Sequence, residues 1–462
     1  MTDMRSFLSN AFMGCIVLSC SLLFSLQAVG QDRTMTVTLQ NPGNTILQQS
    51  PVEIPGIEGF RSARVTVDGK EIPSQIDDLD GDGGADHLFF LADIKAKGQS
   101  KVTIALWRKT MPNTYAKRTF ADILLRNSKV KAKNKHDIYL SEFASLRGTN
   151  PFPVIHQHGA VLESELTAYR FYCSPRQSVD IYGKRKRQLE LQDTEFYPDS
   201  VQLATGYGDD VLAVRDGVGV GALNGWDGRQ PVGFDDCDSR RQRIVANGPL
   251  RSIIEITDLN WKPIPDAEPR TLTTRYTMIA GHRDCEVDVR VSVPKGFKLS
   301  NQICTTPYFI GITHIKGQQS WTDSHGLLAN WGTDYPVTGK DTLSHQKETV
   351  GLAISIPQAN ILKAVHTQYD DGYVVSIPDG HLVYHISFCS DKEVHGYHSA
   401  AQWFNALRAW KAKEDAARLL KIRGGKETSR PLALASINAV SRTPLLSRAH
   451  QNNKKGKATS VV

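Results

Sequence analysis

Apolar and polar residues alternate in short runs along most of this chain. MTVTLQNP, ARVTVDGKEIP and SKVTIALWR, all within residues 31–110, alternate or are rich in β-branched residues, with turn residues between them. Runs of this kind are half-buried strands, because successive side chains of a strand point to opposite faces. Asp68-Gly69 inside the second run is a two-residue hairpin signal. From 111 to 150 the periodicity is poor, and Lys129 to Lys135 reads as a basic loop.

Strands dominate again from 160 to 390, in LTAYRFY, SVDIYG, GVGVGAL, RSIIEITDLNW, TTRYTMIAG, CEVDVRVSVP, TVGLAISIP, GYVVSIP and HLVYHISFC. No helical stretch of useful length intervenes. The expected fold is therefore all-β, a large antiparallel β-sandwich of the supersandwich kind, and not a set of βαβ units. One C-terminal helix is expected, because Trp403, Leu407, Trp410, Ala417 and Leu420 fall at helical spacing behind Ser399, a good N-cap.

This divides the chain into residues 1–30, an N-terminal β region at 31–110, a main β-sandwich with its terminal helix at 111–422, and a tail at 423–462. Residues 11–26 form an apolar run of 16, which suits a signal-peptide core better than a membrane span of about 20 residues. Ala28-Val29-Gly30 supplies small residues before Gln31. A mature start near Gln31, export to the periplasm or cell surface, and no transmembrane segment after cleavage are expected.

Composition changes this picture little. The net charge of +7 resides in the tail, where eight Lys and Arg from Arg423 onward face one acid, Glu427. The body is neutral, so no nucleic-acid partner is expected. Five cysteines remain after the apolar run: Cys173, Cys237, Cys285, Cys304 and Cys389. Their odd number and lack of CxxC spacing argue against a zinc site and leave one or two bridges, or buried thiols, open.

Asp78, Asp80, Asp82 and Asp86 read D-x-D-x-D-G-x-x-D, with Gly83 for the sharp turn. Oxygen ligands at this spacing suit a short structural Ca²⁺ loop, although Phe89 stands where an EF-hand has glutamate. An acidic turn capped by its own aspartates is the alternative. No organic cofactor is expected.

The densest chemistry lies in 156–184. Along a single strand from Ser164 to Tyr172, Arg170 and Tyr172 share one face, and Glu163, Glu165 and Tyr169 share the other. In the next run Asp180, Tyr182 and Lys184 share a face. With His156 and His158 alongside, these are residue types that bind a carboxylate and move protons. The plainer alternative is a sheet face with charged cross-strand pairs.

PSQIDDLDGDGGADHLFFLADI, QHGAVLESELTAYRFY, SVDIYGK, YGDDVLAV, GVGALNGWDG, RIVANGPLRSIIEI and HGYHSAAQWFNALRAW together resemble one family. It is an exported domain-of-unknown-function family of Bacteroidota polysaccharide-utilisation loci, which includes an ulvan oligosaccharide dehydratase. The motifs span about residues 35–420. One departure is Gln157 between His156 and His158, where relatives are expected to have adjacent histidines.

The resemblance implies a carbon–oxygen lyase, a dehydratase on uronic-acid-ended oligosaccharides, which would make an acidic oligosaccharide the partner. Elimination across C4–C5 needs a cation for the carboxylate, a base for H5 and an acid for the leaving hydroxyl. Arg170 and Lys184 are the candidate cations, and His158 and Tyr172 the acid–base pair. Glu163, Tyr169, Asp180, Tyr182 and Trp226 are candidate substrate contacts, with Glu163 or Asp180 orienting His158. Two further readings stay open. One is a non-catalytic sugar-binding protein, and the other a glycoside hydrolase using Glu163 and Asp180. His381 and His385, with His395 and His398, form a separate candidate transition-metal set.

Overall fold

The computed structural model describes residues 31–127, 138–194, 198–264, 267–292 and 306–424. The expectations for the apolar run at 11–26, for Lys129 to Lys135, for Cys304 and for the tail beyond residue 424 lie outside the described residues.

The fold is all-β, as the alternation implies, with several antiparallel sheets and, among the described residues, one long helix, Ala400–Ala417. Two small sheets form the N-terminal unit. Strands Lys421–Arg423, Arg33–Gln40, Gln99–Trp107, Ser62–Val67 and Lys70–Ile72 make one, in that spatial order, and Leu47–Pro55, His87–Ile94 and Ser74–Asp77 make the other. Val37, Leu39, Val52, Phe90 and Ile104 belong to the core of this unit. Its outermost strand comes from the far end of the chain, since Thr38 pairs with Arg423 and Gln40 with Lys421. The Asp68-Gly69 turn joins Ser62–Val67 to Lys70–Ile72 with both residues at positive φ, 48° and 87°, as a tight hairpin requires.

The large unit is built on a nine-stranded antiparallel sheet that runs from Glu142–Leu146 at one edge to Gln319–Thr322 at the other. Two five-stranded sheets share one hydrophobic core with it. One contains Val220–Trp226 and Tyr308–Thr313. The other runs Asp209–Asp210, Val179–Gly183, Ala168–Tyr172, Gly159–Ser164 and Thr119–Asp122. Burial of apolar surface in such packing contributes about 25 cal/mol per Å², and one face of the second five-stranded sheet lies in this core.

Arg251 joins the two units. Its guanidinium contacts Asp77, with Nε 2.8 Å from Oδ2, and also bonds Glu53, while Gln75 receives the Leu250 and Arg251 amides at 2.8 Å each. The helix begins as expected, with Ser399 extended and its hydroxyl accepting from the Gln402 amide. Trp403 and Leu407 are buried with Trp331, Ala329 and Ala353 of the large sheet. Cys173, Cys237, Cys285 and Cys389 are buried free thiols.

Candidate functional site

The stretch singled out in the sequence folds as three adjacent strands of the second five-stranded sheet. It is not continuous across 164–172. Ser164 and Thr167 close a turn, with the Ser164 amide donating to the Thr167 carbonyl at 2.9 Å and the Ser164 hydroxyl accepting from Leu166. Glu163 therefore pairs directly with Ala168, and Val161 with Arg170. Residues directly opposite in an antiparallel pair share a face. Glu163 thus lies on the face of Arg170 and Tyr172, where the single-strand count placed it on the other. Arg170 pairs with Asp180 and Ala168 with Tyr182, which pairs in turn with Asp210. One face so carries Glu163, Arg170, Tyr172, Asp180, Tyr182 and Asp210, with Lys184 following in phase.

The opposite face belongs to the core. Tyr169 is fully buried there with Phe171, Ile181 and Val179, and its ring meets Phe388 edge-on at 5.1 Å. Trp226 lies in the other five-stranded sheet, 5% exposed and stacked on Phe309 with centroids 5.7 Å apart. Neither is presented to a sugar, contrary to their expected role as substrate contacts.

The polar face is buried and internally paired. The Arg170 guanidinium is 2% exposed, with Nη2 2.6 Å from Asp180 Oδ2 and 2.7 Å from Asp210 Oδ1. Asp180 also receives the Tyr172 hydroxyl and its neighbour's amide, Ile181 N, at 2.8 Å. Burial first, and then the Asp180 charge, push the Asp210 carboxyl up to about 7 against the pull of Arg170. At the other end of the face, Lys184 Nζ bonds Glu163 and donates to the Gln188 carbonyl at 2.6 Å. Glu163 accepts the Glu190 and Leu191 amides at 3.0 and 2.9 Å. Burial pushes Glu190 up, and Tyr182 lies beside it. Leu191 covers Val161, Ala168 and Tyr182.

Arg170 and Lys184 are thus committed to the protein's own carboxylates, contrary to their expected role as substrate cations. A buried guanidinium that already faces two carboxylates has no net charge left to offer a third. Glu163 and Asp180 are likewise occupied by buried donors.

His158 and Tyr172 stand at the less buried edge. Phe152 stacks on the His158 imidazole with centroids 3.8 Å apart and planes at 5°. Nδ1 lies 3.1 Å from the Phe152 carbonyl. A carbonyl only accepts, so Nδ1 carries the proton and Nε2 the lone pair. Burial first, and then the Arg170 and Arg126 charges, hold the imidazole below the ordinary histidine range. The Tyr172 ring meets His158 edge to face, and burial and then Asp180 push its phenol well above the ordinary range.

The backbone here is held in an uncommon shape. Gln157 and His158 have φ of 54° and 62°. Each non-glycine residue in such a region costs about 1–3 kcal/mol and persists where the surroundings enforce it. At Gly159 (φ 158°) a Cβ would fall 1.8 Å from the Phe171 carbonyl oxygen, so only glycine lets the loop rejoin the sheet. His156 is buried beneath it, 3% exposed.

The acidic loop closes on its own backbone. Asp78 accepts the Gly81 and Gly83 amides at 2.7 and 2.9 Å, and Asp82 accepts Gly84 at 2.7 Å. Asp78, Asp80 and Asp86 each bring one oxygen within 4.8 Å of the others, and Asp82 stands outside this group. The His381, His385, His395 and His398 set does not form a ligand group among the described residues. His381 bonds Asp288 at 3.0 Å, and His398 faces the Asp391 carbonyl at 2.7 Å.

The chain belongs to the family described as Domain of unknown function (DUF4861), which it matches over residues 39–417. No curated protein matches it. Two solved structures from Enterococcus faecalis are similar in part. One is a protein in the glycosyl hydrolase family 38, with 11% identity and a TM-score of 0.42 over 86% of this chain and 48% of that one. The other is an alpha-mannosidase, with 10% identity and a TM-score of 0.40 over 86% and 47%. The chain spans about half the length of these two proteins.

Proposed function

We propose that this protein is a carbon–oxygen lyase that eliminates water across C4–C5 of a terminal uronate, giving a 4,5-unsaturated sugar acid. One observation carries the reading. His158 and Tyr172 sit side by side, with ring centroids 5.8 Å apart, in environments that move their proton affinities in opposite directions. Two adjacent titratable groups pushed apart in this way are how acid and base roles are divided at one pH.

In this scheme His158, neutral and with its lone pair on Nε2, removes H5. Tyr172 turns its phenolic proton from Asp180 to the departing 4-hydroxyl and delivers it there. The electron pair of the C5–H bond forms the C4–C5 double bond as the C4–O bond breaks, so the products are the unsaturated uronate and water. Asp180, held by Arg170, positions the phenol. Arg126, exposed and close enough for its charge to act on His158, adds positive charge at this edge for an anionic substrate. Uronate-ended oligosaccharides of the ulvan or pectin type are the substrate class, and export to the periplasm or cell surface is part of the same reading. A structural Ca²⁺ held by Asp78, Asp80 and Asp86 fits the oxygens gathered there.

The test is ultraviolet absorbance on incubating the protein with saturated uronate-ended oligosaccharides, since only the product has a double bond conjugated to its carboxylate. A rise that disappears in His158→Ala and slows in Arg126→Ala, mainly through KM, supports the reading. Reducing sugar without absorbance would make the protein a hydrolase, and binding without either would make it a sugar-binding module.

A further inference from the structure

A second group of ionisable side chains forms where three elements meet, away from the polar face. His282 and Asp284 lie at the turn that leads into Cys285–Ser292. His385 lies on the neighbouring strand His381–Ser390, and Glu414 projects from the helix Ala400–Ala417. Asp284 stands between the two imidazoles, with Oδ1 3.7 Å from His282 Nδ1 and Oδ2 3.2 Å from His385 Nδ1. Glu414 Oε2 is 3.9 Å from His385 Nε2. One ligand atom from each of His282, Asp284 and Glu414 falls within 4.8 Å of the others. Trp410 meets His385 edge-on at 5.7 Å, and Asp284 is 7% exposed.

The hydrogen bonding of His282 fixes which of its ring nitrogens faces Asp284. Its Nε2 is 3.1 Å from the Gln49 carbonyl oxygen. That carbonyl can only accept, so Nε2 carries the proton, and in the neutral ring the lone pair is on Nδ1. Nδ1 is the nitrogen on the Asp284 side, at a distance too long for a hydrogen bond. A lone pair and a carboxylate oxygen across such a gap repel unless positive charge lies between them. A remote N–H fixed on a backbone carbonyl, with the near nitrogen turned to an acidic ligand, is how metal-binding histidines are oriented.

The spacing also suits a metal. Tetrahedral bonds of about 2.0–2.1 Å place ligand atoms roughly 3.3 Å apart, so a small inward shift from 3.7 Å between His282 and Asp284, and from within 4.8 Å for Glu414, would close the shell.

We propose that His282, Asp284 and Glu414 form a binding site for a divalent transition-metal ion of the zinc class, with His385 holding the second oxygen of Asp284. The ligands come from the large sheet and the C-terminal helix, and the Gln49 carbonyl belongs to the N-terminal unit. The ion is therefore structural, tying the three together. The Ser164 hydroxyl donates to the His282 carbonyl at 3.0 Å, so the same turn also supports the hairpin that carries the polar face.

The experiment uses the full chain, stripped with chelator and returned to excess Ca²⁺ so that the aspartate loop is not limiting. Zn²⁺ alone is then titrated, with bound zinc measured by elemental analysis and Tm by calorimetry. About one zinc per chain and a raised Tm are expected. Asp284→Asn and Glu414→Gln should lose the bound zinc, and His385→Ala should weaken it about 10–100-fold. His366→Ala, in the separate His314–His366–Asp371 group, should change nothing. A wild-type chain that retains no zinc and whose Tm Zn²⁺ does not move overturns the proposal, leaving an ion-pair network of protonated histidines. Zinc that is lost in His366→Ala and kept in Glu414→Gln overturns it equally.

Discussion

The imidazole of His158 meets the ring of Tyr172 edge to face, at 88° and 5.8 Å between centroids. Each has a fixed partner on its far side, the Phe152 carbonyl for the imidazole and the Asp180 carboxylate for the phenol. The pair is therefore oriented before any substrate arrives, which is what general acid–base catalysis requires.

Replacing Tyr172 by phenylalanine tests the acid. Asp180 keeps Arg170 and the Ile181 amide, so the loss is one hydrogen bond to a charged group, about 1.5–3 kcal/mol. Turnover should fall by more than that loss of fold explains, about 10²–10⁴-fold. Elimination rate and Tm measured together check this, and a folded variant with near-normal turnover would move the acid elsewhere.

The pH profile tests the base. His158 must be unprotonated to act, and its folded value is lowered from the ordinary histidine value of about 6.5. In kcat/KM the His158 limb should rise with pH below that value. Tyr172 adds no falling limb, because its proton is held well above the ordinary range. Asp210, pushed up to about 7, would add a second limb that Asp210→Asn removes. The linkage has the same sign. The unfolded imidazole binds its proton more tightly than the folded one, so this residue's contribution to stability is lost as pH falls from about 6.5 through the lower folded value. A His158 limb centred above 6.5 would contradict the assignment.

Lys184 and Glu163 should behave as structure. Lys184→Ala leaves a buried carboxylate without its cation, a change that typically costs about 3–5 kcal/mol. A Lys184→Met, Glu163→Leu double variant removes both charges and should recover much of that loss. Denaturant unfolding of the two variants decides it, and a double variant no more stable than the single would show that the pair does more than offset itself.

Calcium should stabilise the chain through Asp78, Asp80 and Asp86. Binding at 100 times the dissociation constant adds about 2.7 kcal/mol. Asp80→Ala should abolish the Ca²⁺-dependent rise in Tm, whereas Asp82→Ala, outside the ligand group, should keep most of it. Equal losses in both would restore all four aspartates to the site.

Much of the scaffold was legible in the sequence because its causes are local. Asp68-Gly69 makes a tight turn through its own backbone preference, and Ser399 caps the helix with its own hydroxyl. The in-phase set Arg170, Tyr172, Asp180, Tyr182 and Lys184 could be counted along two strands. Glu163 escaped that count because the turn at Glu165–Leu166 resets the phase, and only the pairing register reveals it. That Arg170 and Lys184 are already neutralised could not be read, because Asp210 approaches Arg170 from another segment and Glu163 reaches Lys184 only once the turn puts it on their face. The YGDD run was the signal for Asp210. Glu414 lies more than a hundred positions from His282 and Asp284, and nothing periodic connects them.

The pairing of Arg33–Gln40 with Lys421–Arg423 constrains the order of assembly. A ribosome releases the first strand of the N-terminal sheet nearly four hundred residues before the strand that covers its edge. Until then that edge offers unpaired amides and carbonyls to any passing strand. Closing it requires a contact of very high sequence separation, the slowest kind to form. The last step of folding should thus be capture of the chain's far end by its beginning. Fragments that stop short of residue 421 should aggregate even where every other sheet can form.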